Sequence, residues 1–349
     1  GGWDKELSGI WVAKFEAGYA TSNGNSAPKK ASSVNYSQTS VWISGYETGT
    51  GEGTASARNW IDEVYGSTTT AIKYPTFQGL AYSMNYINHN DAFSISRALT
   101  ESENIYGLSS SSTDSHLMKN SEWGAVAYLA QSKYGLDGTN IYINNVNLHS
   151  STGAQSVYAI TGCAAATADA DQVVTEMDTT TKRPKATNVY TWTQASGTKA
   201  STTGTIYGIY DMSGGTWERT AAIVNNGNLT TFGKSLMNSL INGKSSKYVT
   251  VYPYDSSVDK TGANSDKASA KNYAKNTRIY GDGIRETSTA GIGKTSWYTD
   301  HSCFPAVGSP FFLRGGALWD GEDAGLFYFF RGSGASAYGG GFRAALVAK

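Results

Sequence analysis

The sequence predicts an α+β domain built mainly of short strands, and three observations carry that reading. Helical periodicity is confined to two stretches, short apolar runs bounded by turn residues recur along the chain, and Gly supplies 40 of 349 residues. Alternating or apolar runs between Gly, Asn and Ser read as strands, and long segments without a period read as connections. No Pro-rich linker or internal repeat divides the chain, so residues 1–349 are read as one domain with long loop insertions.

Taken in order, Ile10–Phe15 and Val41–Ile43 read as strands, separated by the Gly-, Ser- and Asn-rich insertion Ala20–Ser40. A helix is expected over about Gly79–Arg97, with Leu80, Met84 and Ile87 on one face. A second helix spans Ser121–Lys133, where Trp123, Val126, Ala127 and Ala130 share a face. Asn120 is its expected N-cap, Glu122 suits the first turn, and Gly135 is the stop. Ala165–Gly204 and Ser245–Thr287 show no period and read as insertions. Ile206–Tyr210 and Leu326–Phe330 read as strands, the latter at least half buried.

Composition excludes several functions. Lys+Arg and Asp+Glu are 28 each, giving zero formal net charge, whereas a nucleic-acid surface announces itself as a basic excess. No stretch approaches the roughly 18 apolar residues of a membrane helix, so no membrane insertion is expected. Two cysteines make neither a disulfide scaffold nor a zinc cluster. The Gly1-Gly2 start, without Met, reads as a processed or truncated end with an anchoring segment upstream. Tyr (23) and Trp (9) dominate Phe (11), the palette of rigid amphipathic rings beside small polar residues that binding loops use.

Several motifs tempt and fail. Gly291-Ile292-Gly293-Lys294-Thr295 ends like a phosphate loop, but the required earlier Gly is Ser288, and no strand–turn–helix context surrounds it. Gly49–Gly53 is a turn by the same argument. His89, His116, His149 and His301 include no pair at ligand spacing, so no metal is expected. Cys163 and Cys303 read as small buried hydrophobes, although His301 lies close to Cys303.

Two segments are more specific. Ile206–Arg219 runs through Tyr210-Asp211-Met212-Ser213-Gly214-Gly215-Thr216-Trp217-Glu218: an expected strand, a tight Ser-Gly-Gly turn, then a Trp expected to be buried. Phe311-Phe312-Leu313-Arg314-Gly315-Gly316 continues through Trp319 to Gly341-Phe342-Arg343-Ala344. Together they resemble the signature of the formylglycine-generating-enzyme type of C-type lectin fold. Departures fall at Gly215, Thr216 and Arg219, and Trp319 comes later than the family's Trp. Ile10–Glu16 looks like that family's opening strand, and His116–Trp123 like its helix entry.

The resemblance implies a fold before it implies an activity. The family's oxidases carry two copper-binding cysteines whose positions here are Asp320 and Gly325, so the thiolate site is missing and no catalytic residue, cofactor or metal is expected. A second branch is similar in a more telling way: variable proteins of diversity-generating retroelements end in a hypervariable stretch on this scaffold. Mutated adenines in Asn codons there cannot yield Lys, Glu, Gln, Met or Trp. Within about 317–341, Trp319, Gly321, Glu322, Ala324–Phe329 and Gly341 read as scaffold, and the remaining, reachable residues include Ala317, Leu318, Asp320, Asp323, Phe330, Arg331, Ser333, Ser336, Ala337, Tyr338, Gly339 and Gly340. These are the expected ligand-binding positions, held by a core of Trp123, Trp217, Trp319 and Phe342. Phe330, Arg331 and Tyr338 are expected to face solvent together as interface anchors. The implied partner is a cell-surface protein or glycan, met from a phage tail or a bacterial surface. The alternatives are a divergent oxidase, which needs Cys163 and Cys303 together, and a structural tail-fibre head.

Overall fold

The computed structural model describes residues 7–19, 75–81, 83–85, 87–101, 104, 106–149, 157–165, 172–174, 189–225, 229, 232–257, 265–276, 279–335, 337 and 339–349. The expectations for Ala20–Ser40, Val41–Ile43 and Gly49–Gly53 lie outside these residues, as does much of Ala165–Gly204.

The described residues mix helix and sheet, an α+β architecture. The first part holds β1 (Trp11–Val12), β2 (Gly18–Tyr19), β3 (Pro75–Thr76), α1 (His89–Ala98), β4 (Thr113–Leu117) and α2 (Asn120–Gln131). The middle holds β5 (Val146–His149), β6 (Val157–Ala159), β7 (Cys163–Ala165), β8 (Gln172–Val174), β9 (Val189–Thr191) and β10 (Trp217–Val224). Then come α3 (Lys234–Asn238), β11 (Thr250–Tyr252), α4 (Asp266–Lys275), β12 (Ile292–Gly293) and β13 (Ser302–Cys303). The chain closes with β14 (Phe311–Gly315), β15 (Gly325–Gly332), β16 (Gly340–Phe342) and β17 (Ala344–Ala348).

The main sheet has seven strands in the order β11-β10-β14-β15-β13-β12, with β16 also on β10. β14 is antiparallel to both β10 and β15, and β16 is parallel to β10 with Trp217 opposite Gly340. Strand alternation sends Ala221, Ile223 and Phe311 to one core and Ala222, Val224, Phe312 and Phe329 to another. Both faces are covered, which is why Phe311–Leu313 and Leu326–Phe329 read as unbroken apolar runs. β1, β17 and β4 form a second sheet, so segments far apart in sequence meet there.

α2 follows its sequence pattern closely. Trp123, Ala127 and Ala130 are buried together, and the Glu122 carboxylate accepts the Lys119 N–H at 2.8 Å, sealing an orphan donor of the first turn. The N-cap is Lys119, with Asn120 the first helical residue. α1 begins ten residues later than its periodicity suggested. Leu80 and Ser83 donate to Thr161 and Ala159 carbonyls instead, and the Asn88 side chain caps at Asp91. Ile206–Tyr210 is a turn, not a strand: Thr202 donates to the Ile209 carbonyl, and Tyr207 stands 86% exposed. α4 went unread because the face it buries is Ala268, Ser269, Asn272 and Tyr273, too small and polar to give an apolar period. Part of the Ala165–Gly204 stretch is likewise strand, since β9 pairs with β7. Among the described residues no helix is long and apolar enough to cross a membrane.

Candidate functional site

The charged residues of the two motifs are consumed inside the fold. Arg343 donates to both Glu218 oxygens, closest at 2.6 Å, and to the carbonyls of Ala13 and Tyr210 at 2.6 and 2.7 Å. Arg314 donates to the carbonyls of Tyr328, Asp282 and Gly283 at 2.8–3.1 Å. Both guanidinium groups are fully buried. Asp211 accepts from the Gly162 N–H and the Asn144 amide, and Glu16 accepts the Thr216 N–H and hydroxyl. The tight turn between them needs glycine: Gly214 has φ +75°, and a Cβ there would sit 2.4 Å from the Asn144 carbonyl oxygen.

Burial raises Glu218 to about 7 against the opposing pull of Arg343, and raises Asp211 to about 6. Glu16, buried beside both carboxylates, is held well above the ordinary range. Glu218 and Asp211 feel the Arg343 guanidinium, and Glu16 lies beside both acids, so the cluster ties four chain segments together.

The stretch after β14 builds a face on the other side of this clamp. Gly315 and Gly316 both have positive φ, and Asp320 closes the following loop. One Asp320 oxygen accepts the Ala317 N–H at 2.9 Å and the Trp217 indole N–H at 2.7 Å. Burial raises the Asp320 carboxyl, while these donors restrain it. β15 then carries Tyr328 and Phe330 to one side. Phe330 stacks on Trp217 (centroids 6.0 Å, 7° between planes), Trp319 meets Trp217 edge-on at 5.3 Å, and His301 lies 5.7 Å from Phe330. Trp217, Trp319, His301 and Phe330 are all half-buried, forming an aromatic row open at its rim.

One ion pair borders the row and a second lies on the opposite face of β15. Asp323 pairs with Lys294 at 2.5 Å, and Arg331 with Asp266 at 3.0 Å while also donating to the Ser269 hydroxyl at 2.6 Å. Asp320, Asp323 and Phe330 are therefore brought onto one face. Arg331, the next residue of β15, points to the opposite face toward α4, and Ser333 is exposed beyond the strand. Sequence reasoning missed Lys294, His301 and Trp217 as parts of the aromatic face. The first two come from segments weighed for phosphate, metal and thiol chemistry, and Trp217 was expected in the core.

Other positions correct the expectation. Ala317 and Leu318 are 0 and 2% exposed, Leu318 packed on Ala159, so their side chains belong to the interior. Gly339 and Gly340 are buried. A Cβ on Gly339 would reach Trp319 at 2.5 Å, and one on Gly340 the Arg219 guanidinium at 2.6 Å, so neither can vary freely. Phe330 and Arg331 do not face solvent together: both are half-buried, Phe330 against Trp217 and Arg331 against α4 on the opposite face of β15, and Trp217 and Trp319 are half-buried rather than core. Ala337 is half-buried, and Ser336 and Tyr338 lie outside the described residues.

The two cysteines lie in different sheets, both buried and both free. At Gly325, a family thiolate position, a Cβ would sit 2.1 Å from Asp300 Oδ1. Within Gly291–Thr295, Ile292–Gly293 is the edge strand β12, and Lys294 just after it is tied to Asp323. Among the described residues, no group of three or more His, Cys, Asp or Glu could hold a metal ion. The chain matches no protein-family model and no curated protein.

Proposed function

We propose that this chain is a non-catalytic binding module of the C-type lectin fold, formylglycine-generating-enzyme type, that recognises a cell-surface protein or glycan through its C-terminal face. On this reading it is a variable protein of a diversity-generating retroelement, carried by a phage tail or a bacterial surface. One observation carries the proposal: the motif charges Arg314, Glu218 and Arg343 are consumed by internal partners, while Asp320, Asp323 and Phe330 gather around two half-open tryptophans. Such a division suits a rigid scaffold presenting aromatic anchors beside small adaptable residues. Removing the buried positions leaves Asp320, Asp323, Phe330, Arg331, Ser333 and Ala337 as the changeable set among the described residues.

Sequencing the DNA beside the coding region tests the reading. A near-copy of the 317–341 codons carrying Asn codons at 323, 330, 331 and 333, next to a reverse-transcriptase gene, is the expected result. Flanking DNA with neither feature overturns the retroelement assignment.

A further inference from the structure

Away from the C-terminal face, two adjacent turns expose large apolar side chains. Leu129 and Tyr134, at the end of α2 and just after it, are 61 and 75% exposed, and Ile206 and Tyr207 are 40 and 86% exposed. The turns touch: Leu136 Cδ2 lies 3.6 Å from the place a Gly204 Cβ would occupy, and Leu136 and Ile209 pack together on the Trp123 cluster. Both turns are held by their own hydrogen bonds. Leu136 donates to the Ala130 carbonyl at 2.6 Å, and the Ser201 hydroxyl to the Thr205 carbonyl at 2.7 Å. The apolar tips are thus fixed outward by the backbone.

Lysines surround them. Lys133 lies 5.1 Å from the Tyr134 ring centre, Lys199 5.1 Å from Tyr142, and Lys14 4.3 Å from Trp192. The Tyr210 hydroxyl bonds the Trp192 and Thr205 carbonyls, which places Lys14 at the border of the same turn. Across residues 129–139 and 192–209, Asp137 is the one carboxylate. A neutral chain therefore concentrates cations around its protruding apolar residues.

We propose that this face docks peripherally on an anionic lipid bilayer. Ile and Leu tips enter the headgroup boundary, Tyr and Trp rings suit its mixed polarity, and lysines attract anionic lipid. Lysine stems can lie along apolar surface while their ammonium groups stay wet. A second copy of the chain is a poorer occupant, because a two-fold contact would set these lysines against their own copies. The convex tips also suit a deformable surface better than a preformed protein groove.

The test is co-sedimentation of the full chain with vesicles of phosphatidylcholine alone and of phosphatidylcholine mixed with phosphatidylglycerol. Binding to the anionic vesicles, weakened by salt, is expected. Each lysine contributes about fivefold to partitioning, so Lys133→Glu with Lys199→Glu should lower it by more than about tenfold. Ile206→Ser with Tyr207→Ser should also abolish most binding while leaving the melt unchanged, since both side chains are exposed. Equal binding to neutral vesicles, no binding to either, or variants that bind like the parent overturns the proposal. So does retention on immobilised polyglutamate without vesicle binding, which assigns the face to an acidic protein.

Discussion

Replacing Arg343 with Met tests whether the closing Gly-Phe-Arg motif is a structural clamp. The substitution removes a buried ion pair with Glu218 and the donors to the Ala13 and Tyr210 carbonyls. Breaking a buried pair costs about 3–5 kcal/mol, and each orphaned buried carbonyl adds about 1 kcal/mol or more. Glu218 limits the loss, because its carboxyl already titrates at about 7 and takes a proton once the guanidinium is gone. A net loss of about 5 kcal/mol remains, which an m-value of about 3 kcal/mol/M turns into a urea midpoint lower by about 1.7 M. Adding Glu218→Gln removes the uncompensated carboxylate and should recover part of that loss. A shift below about 0.3 M for Arg343→Met would refute the clamp.

Other outcomes follow from the same geometry. His116 is desolvated, but Glu122 and Asp114 outweigh that and raise it to about 9, while burial raises Glu218 and Asp300 to about 7. All three have folded pKa values above their unfolded ones, so their stabilisation is present below the unfolded values and lost as pH rises through 7 to 9. Urea melts should show stability growing by about 1 kcal/mol per unit as pH falls from 9 to 7, and a flat or opposite slope contradicts the assignment. Below about 6.5 the His116 gain is complete, and protonation of Glu218 and Asp300 carries the increase on toward the ordinary carboxyl range. His89 offsets it in part, because burial holds its ring neutral down to about 3. Gly325→Cys should destabilise by about 2 kcal/mol or more through its collision with Asp300, and a wild-type melt would show that the strand can shift there. Phe330→Ser should cost about 1–2 kcal/mol and Arg331→Gly about 1 kcal/mol or less, against about 3–5 kcal/mol for Trp123→Ala, all read by thermal melts. Equal losses at Phe330 and Trp123 would place Phe330 in the core.

Much of the scaffold was legible because its elements bury one chemistry at a regular spacing. Trp123, Val126, Ala127 and Ala130 marked α2, and the Phe-rich runs marked β14 and β15. Misreadings arose where tertiary contacts decide. Ile206–Tyr210 alternates like a strand, yet its partner is its own preceding turn at Thr202. Leu80, Met84 and Ile87 keep a helical spacing, but the backbone there pairs with residues 159–161. The candidate face was half legible. Reachable codons pointed to Asp320, Asp323 and Phe330, but codon logic is blind to burial and to strand alternation, so it also took in Ala317, Leu318, Gly339 and Gly340, and Arg331 on the opposite face of β15. Lys294 and His301 join the face only through folding.

The central claim is that the face around Trp217 and Phe330 can change its side chains while the fold stays put. Its most direct measurement is a surface-displayed library varied at Asp323, Phe330, Arg331 and Ser333, scored for folded display and for binding to bacterial surface preparations. A matched library varied at Gly339, Gly340 and Arg343 serves as the comparison. The account predicts that most members of the first library stay folded, lose about 1–2 kcal/mol at most, and differ sharply in what they bind. Members of the second should mostly fail to display. Equal failure in both libraries, or binding that ignores every change in the first, would contradict it.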